Sequence, residues 1–321
     1  MCRLGFVTSE KELDLSRWVM LSTAHYSSSN GDGTGFAVLG KSDIEVTKAP
    51  VDAVSFWLSA PNVNLVSSEV IFHVRKKTSG ELVIDDTHPF VNEDKSIVLV
   101  HNGVLSNYED SVEALKIRGH VFSSKVDSEV LLHAYEEWGN KMFEELNKLK
   151  CSGWVTLLIM KKDGTLIAYT DSKRNLDIYK NKDDNTYFGF SDSTFVTGDI
   201  ELDVKQDTFY TFKNGLLVSQ EDVGALSTYD YASMRGDSFG RTMGSLTNQY
   251  DSYEGYSSSE KEYWFKFNPA YCIDISTEVG TMPKYANLRN TLNYFMESKS
   301  LKKTKKKTKD KSLGDGYGSV R

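Results

Sequence analysis

Cys2 stands directly after the initiator methionine. A side chain that small permits removal of Met1, leaving one residue with both a thiol and a free α-amine. Their ordinary pKa values are about 8.5 and about 8, so a nucleophile and its base would share a residue. Position 2 is often arbitrary, so the case depends on what else the chain supplies. Arg75 follows the apolar run Val70–Val74, and a guanidinium at a strand end suits bidentate capture of a carboxylate. The bland alternative is a solvated basic turn, which is the preferred reading for Lys76 and Lys77. His73 reads as a hydrogen-bonded core histidine in preference to a catalytic one. His101-Asn102-Gly103 leaves the apolar run Ser96–Val100. An Asn-Gly pair there is ordinarily a turn. It also makes an oxyanion hole, in which the Asn102 amide and the Gly103 N–H aim at one oxygen, each such donor being worth about 3 kcal/mol in acyl transfer. Asp127 falls at a predicted helix start, where it either caps the helix or holds an ammonium group.

Taken together these groups specify a ligand. Arg75 takes a carboxylate, Asp127 an ammonium, Asn102 and Gly103 a developing oxyanion, and Cys2 attacks a carbonyl. An amino acid with a carbonyl at the end of its side chain fits, and glutamine is the obvious one.

The elements that must position these groups are partly legible. Cys2–Val7 reads as a short buried strand. Ser9 and Glu12 form a capping box that opens a helix through Leu13, Trp18, Val19, Leu21 and His25. A turn-rich loop follows, with Gly31, Gly33 and Gly35, and then strand Phe36–Leu39. Its glycines lack the spacing of a dinucleotide fingerprint or a phosphate loop. Val70–Val74 and Ser96–Val100 are buried strands. Helices are predicted over Tyr108–Arg118 and Asp127–Trp138, closed by Gly119 and Gly139, and over Asn140–Leu149. From Trp154 the period changes to two, giving strands at Trp154–Met160, Thr165–Tyr169, Leu176–Tyr179, Thr186–Phe190, Phe195–Thr197, Thr208–Phe212 and Leu216–Ser219. Asp163-Gly164 and Asn214-Gly215 are hairpin turn signals. Strands bracketing a helical middle predict layered α and β with large antiparallel sheets.

Composition narrows the function classes. The chain of 321 residues is 39% hydrophobic and carries a net charge of -7, so it has material for a sizeable core and is no general nucleic-acid binder. Its three cysteines, Cys2, Cys151 and Cys272, show no paired spacing, so neither a disulfide framework nor a zinc site is expected. The six histidines likewise lack the spacings of a metal enzyme. No signal peptide and no membrane-spanning run is readable, and a cytoplasmic setting is expected, which would keep Cys2 reduced. Residues 226–260 are rich in Ser, Gly, Tyr and Asp and read as linker or disorder. Beyond them lie an aromatic patch at Tyr263–Phe267, a short amphipathic helix with Leu288, Leu292, Phe295 and Met296, and a Lys-rich end with seven Lys and one Arg against two Asp in residues 301–321.

In series, Met1-Cys2-Arg3-Leu4, Gly31-Asp32-Gly33-Thr34-Gly35, His73-Val74-Arg75-Lys76-Lys77-Thr78, Thr87-His88-Pro89-Phe90, His101-Asn102-Gly103 and Asp127-Ser128-Glu129 resemble the class II glutamine amidotransferases, which are N-terminal-nucleophile hydrolases. The resemblance covers residues 2–222 and leaves 223–321 unmatched. The start and the His73–Lys76 strand look most like the stand-alone branch that includes the ergothioneine-pathway γ-glutamyl hydrolases. It implies an α+β fold, a four-layer αββα sandwich, here with a mostly disordered C-terminal extension. It further implies Cys2 as nucleophile with its α-amine as base, Asn102 and Gly103 as oxyanion hole, and Arg75 and Asp127 as clamps on glutamine, with a Thr78 hydroxyl contact to the carboxylate. No cofactor or metal is implied. Two positions depart from the family pattern: Asp86 stands where Asn is usual, and Lys76 where the sugar-phosphate branch has Trp. Since no ATP-pyrophosphatase or phosphoribosyl-binding loop is readable, ammonia is expected to pass to a separate acceptor enzyme. The aromatic patch and the amphipathic helix are candidate contacts for it, and the Lys-rich end for an acidic surface or nucleic acid. The alternatives are hydrolysis of a γ-glutamyl amide or peptide, and an inactive scaffold that retains the fold.

Overall fold

The computed structural model describes residues 2–27, 29–59, 65–171, 175–181, 185–197, 202–228 and 273–274. In chain order the first half contributes β1 (Arg3–Asp14), α1 (Ser16–Tyr26), β2 (Gly33–Leu39), β3 (Ile44–Ala49), α2 (Ala53–Ser59), β4 (Val66–Arg75), β5 (Phe90–Val91), β6 (Ile97–Ser106), α3 (Glu109–Ile117), α4 (Ser128–Trp138) and α5 (Met142–Lys148). The second half contributes β7 (Ser152–Lys161), β8 (Thr165–Thr170), β9 (Asp177–Lys180), β10 (Tyr187–Phe190), β11 (Val196–Thr197), β12 (Thr208–Lys213), β13 (Leu216–Asp222) and β14 (Ile273–Asp274). They form two six-stranded antiparallel sheets, ordered β3-β2-β4-β1-β10-β9 and β13-β12-β8-β7-β6-β5, and β11 pairs with β14 separately.

Side chains alternate across each strand, so a strand buried on both faces must be apolar at nearly every position. On β4, Ile71 enters the layer between the sheets, where it joins Leu4, Phe6, Val98, Val100, Leu158 and Met160. Val70, Phe72 and Val74 point the other way, into a core closed by Trp18, Val19 and Trp57 of α1 and α2. On the second sheet Leu99 packs under Leu131, Leu132 and Phe143 of α4 and α5. Three apolar layers between four layers of structure make the αββα sandwich, as expected.

The local differences have physical causes. The capping box at Ser9 and Glu12 does not form. Instead β1 runs on to Asp14, with a register shift between Thr8 and Leu13, after which Leu13 pairs with Ser67 of β4. The helix begins at Ser16, whose N–H donates to Asp14 Oδ1 at 3.0 Å. Neighbouring backbone pairing outweighs the capping pattern. Asn102-Gly103 is not a turn either, since β6 continues to Ser106 opposite Ser152. The β3 strand and the α2 helix have no counterpart in the sequence reading. Asp52 starts α2 by accepting the Val54 and Ser55 N–H groups at 3.1 and 3.2 Å. The Asp163-Gly164 and Asn214-Gly215 turns form, with Asn214, Gly164 and Gly215 all at positive φ. The aromatic patch at Tyr263–Phe267, the helix around Leu288–Met296 and the Lys-rich end lie outside the described residues, as does most of the 226–260 stretch.

Candidate active site

The nucleophile candidate sits just before β1, beside the end of β4. The pairing of Arg3 with Val74 carries half-buried Cys2 alongside the Lys76 backbone. Its Sγ donates to the Lys76 carbonyl and accepts from the Lys76 N–H, both at 3.4 Å. Arg3 holds the other side of the residue. Its Nη1 donates to the Cys2 carbonyl at 3.3 Å, and its Nε pairs with Asp192 at 3.0 Å. Leu4 then donates its N–H to Ser191 Oγ at 2.9 Å. The first residues are thus tied to β4 and to the segment after β10. Burial pushes the Cys2 thiol above its usual pKa. The Lys76 N–H, the amino-terminal charge and Arg75 offset this in part, and Asp127 adds to the rise. The Cys2 sulfur, Arg75 and Asp127 therefore share one electrostatic neighbourhood.

β6 supplies the facing wall. His73 of β4 donates from Nε2 to the His101 carbonyl at 3.1 Å, which joins the two sheets. Asn102 is 3% exposed, and its Oδ1 is buried without a hydrogen-bond partner. At Gly103 a Cβ would lie 1.8 Å from the Trp154 carbonyl oxygen. Only glycine fits there, whatever its backbone N–H does for a substrate.

Arg75 and Asp127 are both buried and both already at work on the protein. Arg75 donates to the Ser79 and Glu81 carbonyls, each at 2.6 Å, which occupies two of its five donors. Asp127 precedes α4 without capping it through its side chain. Its Oδ2 accepts the Leu105 N–H of β6 at 2.6 Å, and its Oδ1 lies 3.5 Å from the Ser79 hydroxyl. Thr78 is exposed on the loop between these anchors.

Several contributors to this loop escaped the sequence reading. Asp32 accepts the Lys77 N–H at 2.8 Å, placing the 31–35 loop against it. Ser79 bridges Arg75 and Asp127. Asp86 accepts the N–H groups of Glu81 and Lys125. A carboxylate has an acceptor oxygen for each, whereas an asparagine has one, which gives the Asn-to-Asp departure a physical account. The signal was that departure itself, without its direction. The rings of His73 and His88 are tilted by 30° with centroids 4.0 Å apart. Burial drives His73 down to about 3 and His88 well below its ordinary value, so both are neutral near pH 7. His73 is thus a buried core histidine.

Residues 69–220 match the model of a glutamine amidotransferase domain. The isomerizing glutamine–fructose-6-phosphate aminotransferase of Thermus thermophilus is 36% identical over 106 residues, covering 33% of this chain and 18% of that protein. The amidophosphoribosyltransferase of Methanocaldococcus jannaschii is 25% identical over 240 residues, covering 72% of this chain and 51% of that protein. The glutamine phosphoribosylpyrophosphate amidotransferase of B. subtilis superposes with a TM-score of 0.55 at 19% identity, over 70% of this chain and 49% of that one. The chain spans about half or less of the length of these relatives. Cys2 precedes the matched segment, so its place beside that segment rests on the β1–β4 pairing. With the family model on β4 through β13 and a sandwich that shares the fold of amidotransferase structures around it, residues 69–220 are similar to a glutamine amidotransferase domain.

Proposed function

We propose that the protein hydrolyses the side-chain amide of glutamine through Cys2 and passes the ammonia to a separate acceptor. The observation that carries this reading is the seating of the Cys2 sulfur against the Lys76 backbone, within the field of Arg75 and Asp127. Met1 is removed first. The freed α-amine takes the thiol proton as the sulfur bonds to the amide carbon, and the carbonyl π electrons move to oxygen. Asn102 and the Gly103 N–H receive the oxyanion. The protonated amine returns its proton to the leaving nitrogen, ammonia departs, and a γ-glutamyl thioester remains. Water, deprotonated by the same amine, cleaves that thioester to glutamate and the free thiol.

Binding follows from the buried charges. The remaining donors of Arg75 and the Thr78 hydroxyl meet the α-carboxylate, and Asp127 meets the α-ammonium. A glutaminase assay on the parent and Cys2→Ala proteins tests this, with mass spectrometry to establish loss of Met1. Activity in the parent that Cys2→Ala abolishes supports the proposal. Retained Met1, or equal turnover by both proteins, defeats it. Absence of turnover on glutamine and on γ-glutamyl peptides alike, with Met1 removed, favours the scaffold reading.

A further inference from the structure

A second constellation lies on the outer face of the other sheet, apart from Cys2. Glu93 is in the turn between β5 and β6, His120 follows α3, and His133 and Glu136 stand one turn apart on α4. One ligand-capable atom of each lies within 4.8 Å of the others. His120 Nδ1 is 3.3 Å and His133 Nδ1 3.2 Å from the same oxygen, Glu136 Oε2. Those separations match the ligand–ligand edge of about 3.3 Å in a tetrahedron with bonds of about 2.0–2.1 Å.

The groups behind these four are arranged as outer partners of metal ligands usually are. Glu137 Oε2 lies 3.1 Å from His120 Nε2, and Arg118 holds the other Glu137 oxygen at 3.2 Å. Buried Asn92 donates to Glu136 Oε1 at 2.9 Å, leaving Oε2 for the centre. The Val121 N–H donates to Glu93 Oε1 at 2.7 Å, leaving its other oxygen. His133 is 1% exposed and packed against Phe122, and its outer Nε2 lies 3.9 Å from Glu129 Oε1. With Nδ1 turned to Glu136 and Nε2 to Glu137, His120 has one nitrogen facing the centre and the other facing an outer carboxylate.

We infer that Glu93, His120, His133 and Glu136 form a closed structural site for one divalent transition-metal ion, with zinc the ion its donor set fits. Two imidazoles and two carboxylates in a four-coordinate arrangement suit zinc better than the oxygen cages of calcium or magnesium. With four protein ligands the site has no open position for chemistry. It would staple the β5–β6 turn and the loop after α3 onto α4, whose N-terminal neighbour is Asp127. Only the His133–Glu136 spacing is visible in the linear sequence, and for that reason cysteine and histidine spacing gave no sign of a zinc site.

The test uses the full chain, stripped with a chelator and titrated with Zn²⁺ by calorimetry. One equivalent is expected, with a melting temperature that rises on zinc addition. Co²⁺ should give the visible bands of a tetrahedral site without a thiolate charge-transfer band. His120→Gln and Glu93→Gln should abolish stoichiometric binding, and Glu137→Gln should weaken it about 10-fold or more. Cys2→Ala should bind as the parent does. If His120→Gln fails to fold by circular dichroism, Glu93→Gln, on an exposed turn, carries the test. No stoichiometric binding, binding unchanged by the ligand substitutions, or binding lost with Cys2→Ala would each overturn the site.

Discussion

On the proposed function, one carboxylate, Asp127, serves both the scaffold and the ligand. It accepts the Leu105 N–H at 2.6 Å and still faces the Cys2 neighbourhood. Asp127→Asn should raise KM for glutamine about 10-fold or more, through loss of a charge-assisted contact, with a smaller effect on kcat; steady-state kinetics decides. Glu69 is a second buried acid, remote from the site in purpose. Its Oε1 accepts from Thr8, its Oε2 has no partner, and burial lifts it to about 7. A group raised in the folded state lends full stability below its unfolded value near 4.5 and loses it as pH climbs through about 7. Glu69→Gln should therefore stabilise the protein above pH 7, by up to about 3 kcal/mol, and the gain should vanish below about pH 4.5. His73 has the opposite sign. Its contribution is present above about 6.5 and is lost as pH falls towards about 3. Melting curves against pH separate the two. The residue types at the site were readable because each has a distinctive chemistry. Their present partners were not, since the bonds of Arg75 to loop carbonyls and of Asp127 to Leu105 depend on loop paths that no local pattern encodes.

Between elements, the segment linking β4 to β5 is folded onto charged anchors. Arg75 holds its carbonyls, Asp86 holds the Glu81 N–H, and Gly80 turns at φ 69 with its Cα side against Asp86. Asp86→Ala removes the acceptor for two N–H groups. It should raise KM for glutamine about 10-fold while lowering kcat less, and should speed proteolysis within residues 79–86, as expected for a freed loop; mass mapping of the nicks checks this. The strands from β7 onwards were legible because their period of two is strong and their turns carry Gly164 and Gly215. The helix ends at Gly119 and Gly139 were legible for the same kind of reason. The start of α1 was not, because Ser9 and Glu12 satisfy a helical pattern while lying on a strand that β4 holds by backbone bonds. Asn102-Gly103 misled similarly. The pair favours a turn locally, yet Gly103 is required by the Trp154 carbonyl in mid-strand.

At the scale of the whole molecule, two sheets and two helical layers account for nearly all of the described packing. Among the described residues beyond 228, Ile273–Asp274 pair with β11. A chain ending at Thr228 keeps every strand of both six-stranded sheets and should still unfold in one cooperative transition, which calorimetry measures. No helix among the described residues is long and apolar enough to cross a membrane. The overall layering followed from alternation and from the resemblance, whereas the order of strands within each sheet had no signature in the sequence.

That order has a bearing on how the protein is made. β1 lies between β4 and β10, so during synthesis β1 cannot complete its pairing until residue 190 has emerged. At about 5–20 residues per second this is a delay of roughly 10–40 s. Throughout it β1 can pair along one edge, with β4, while its other edge waits for β10.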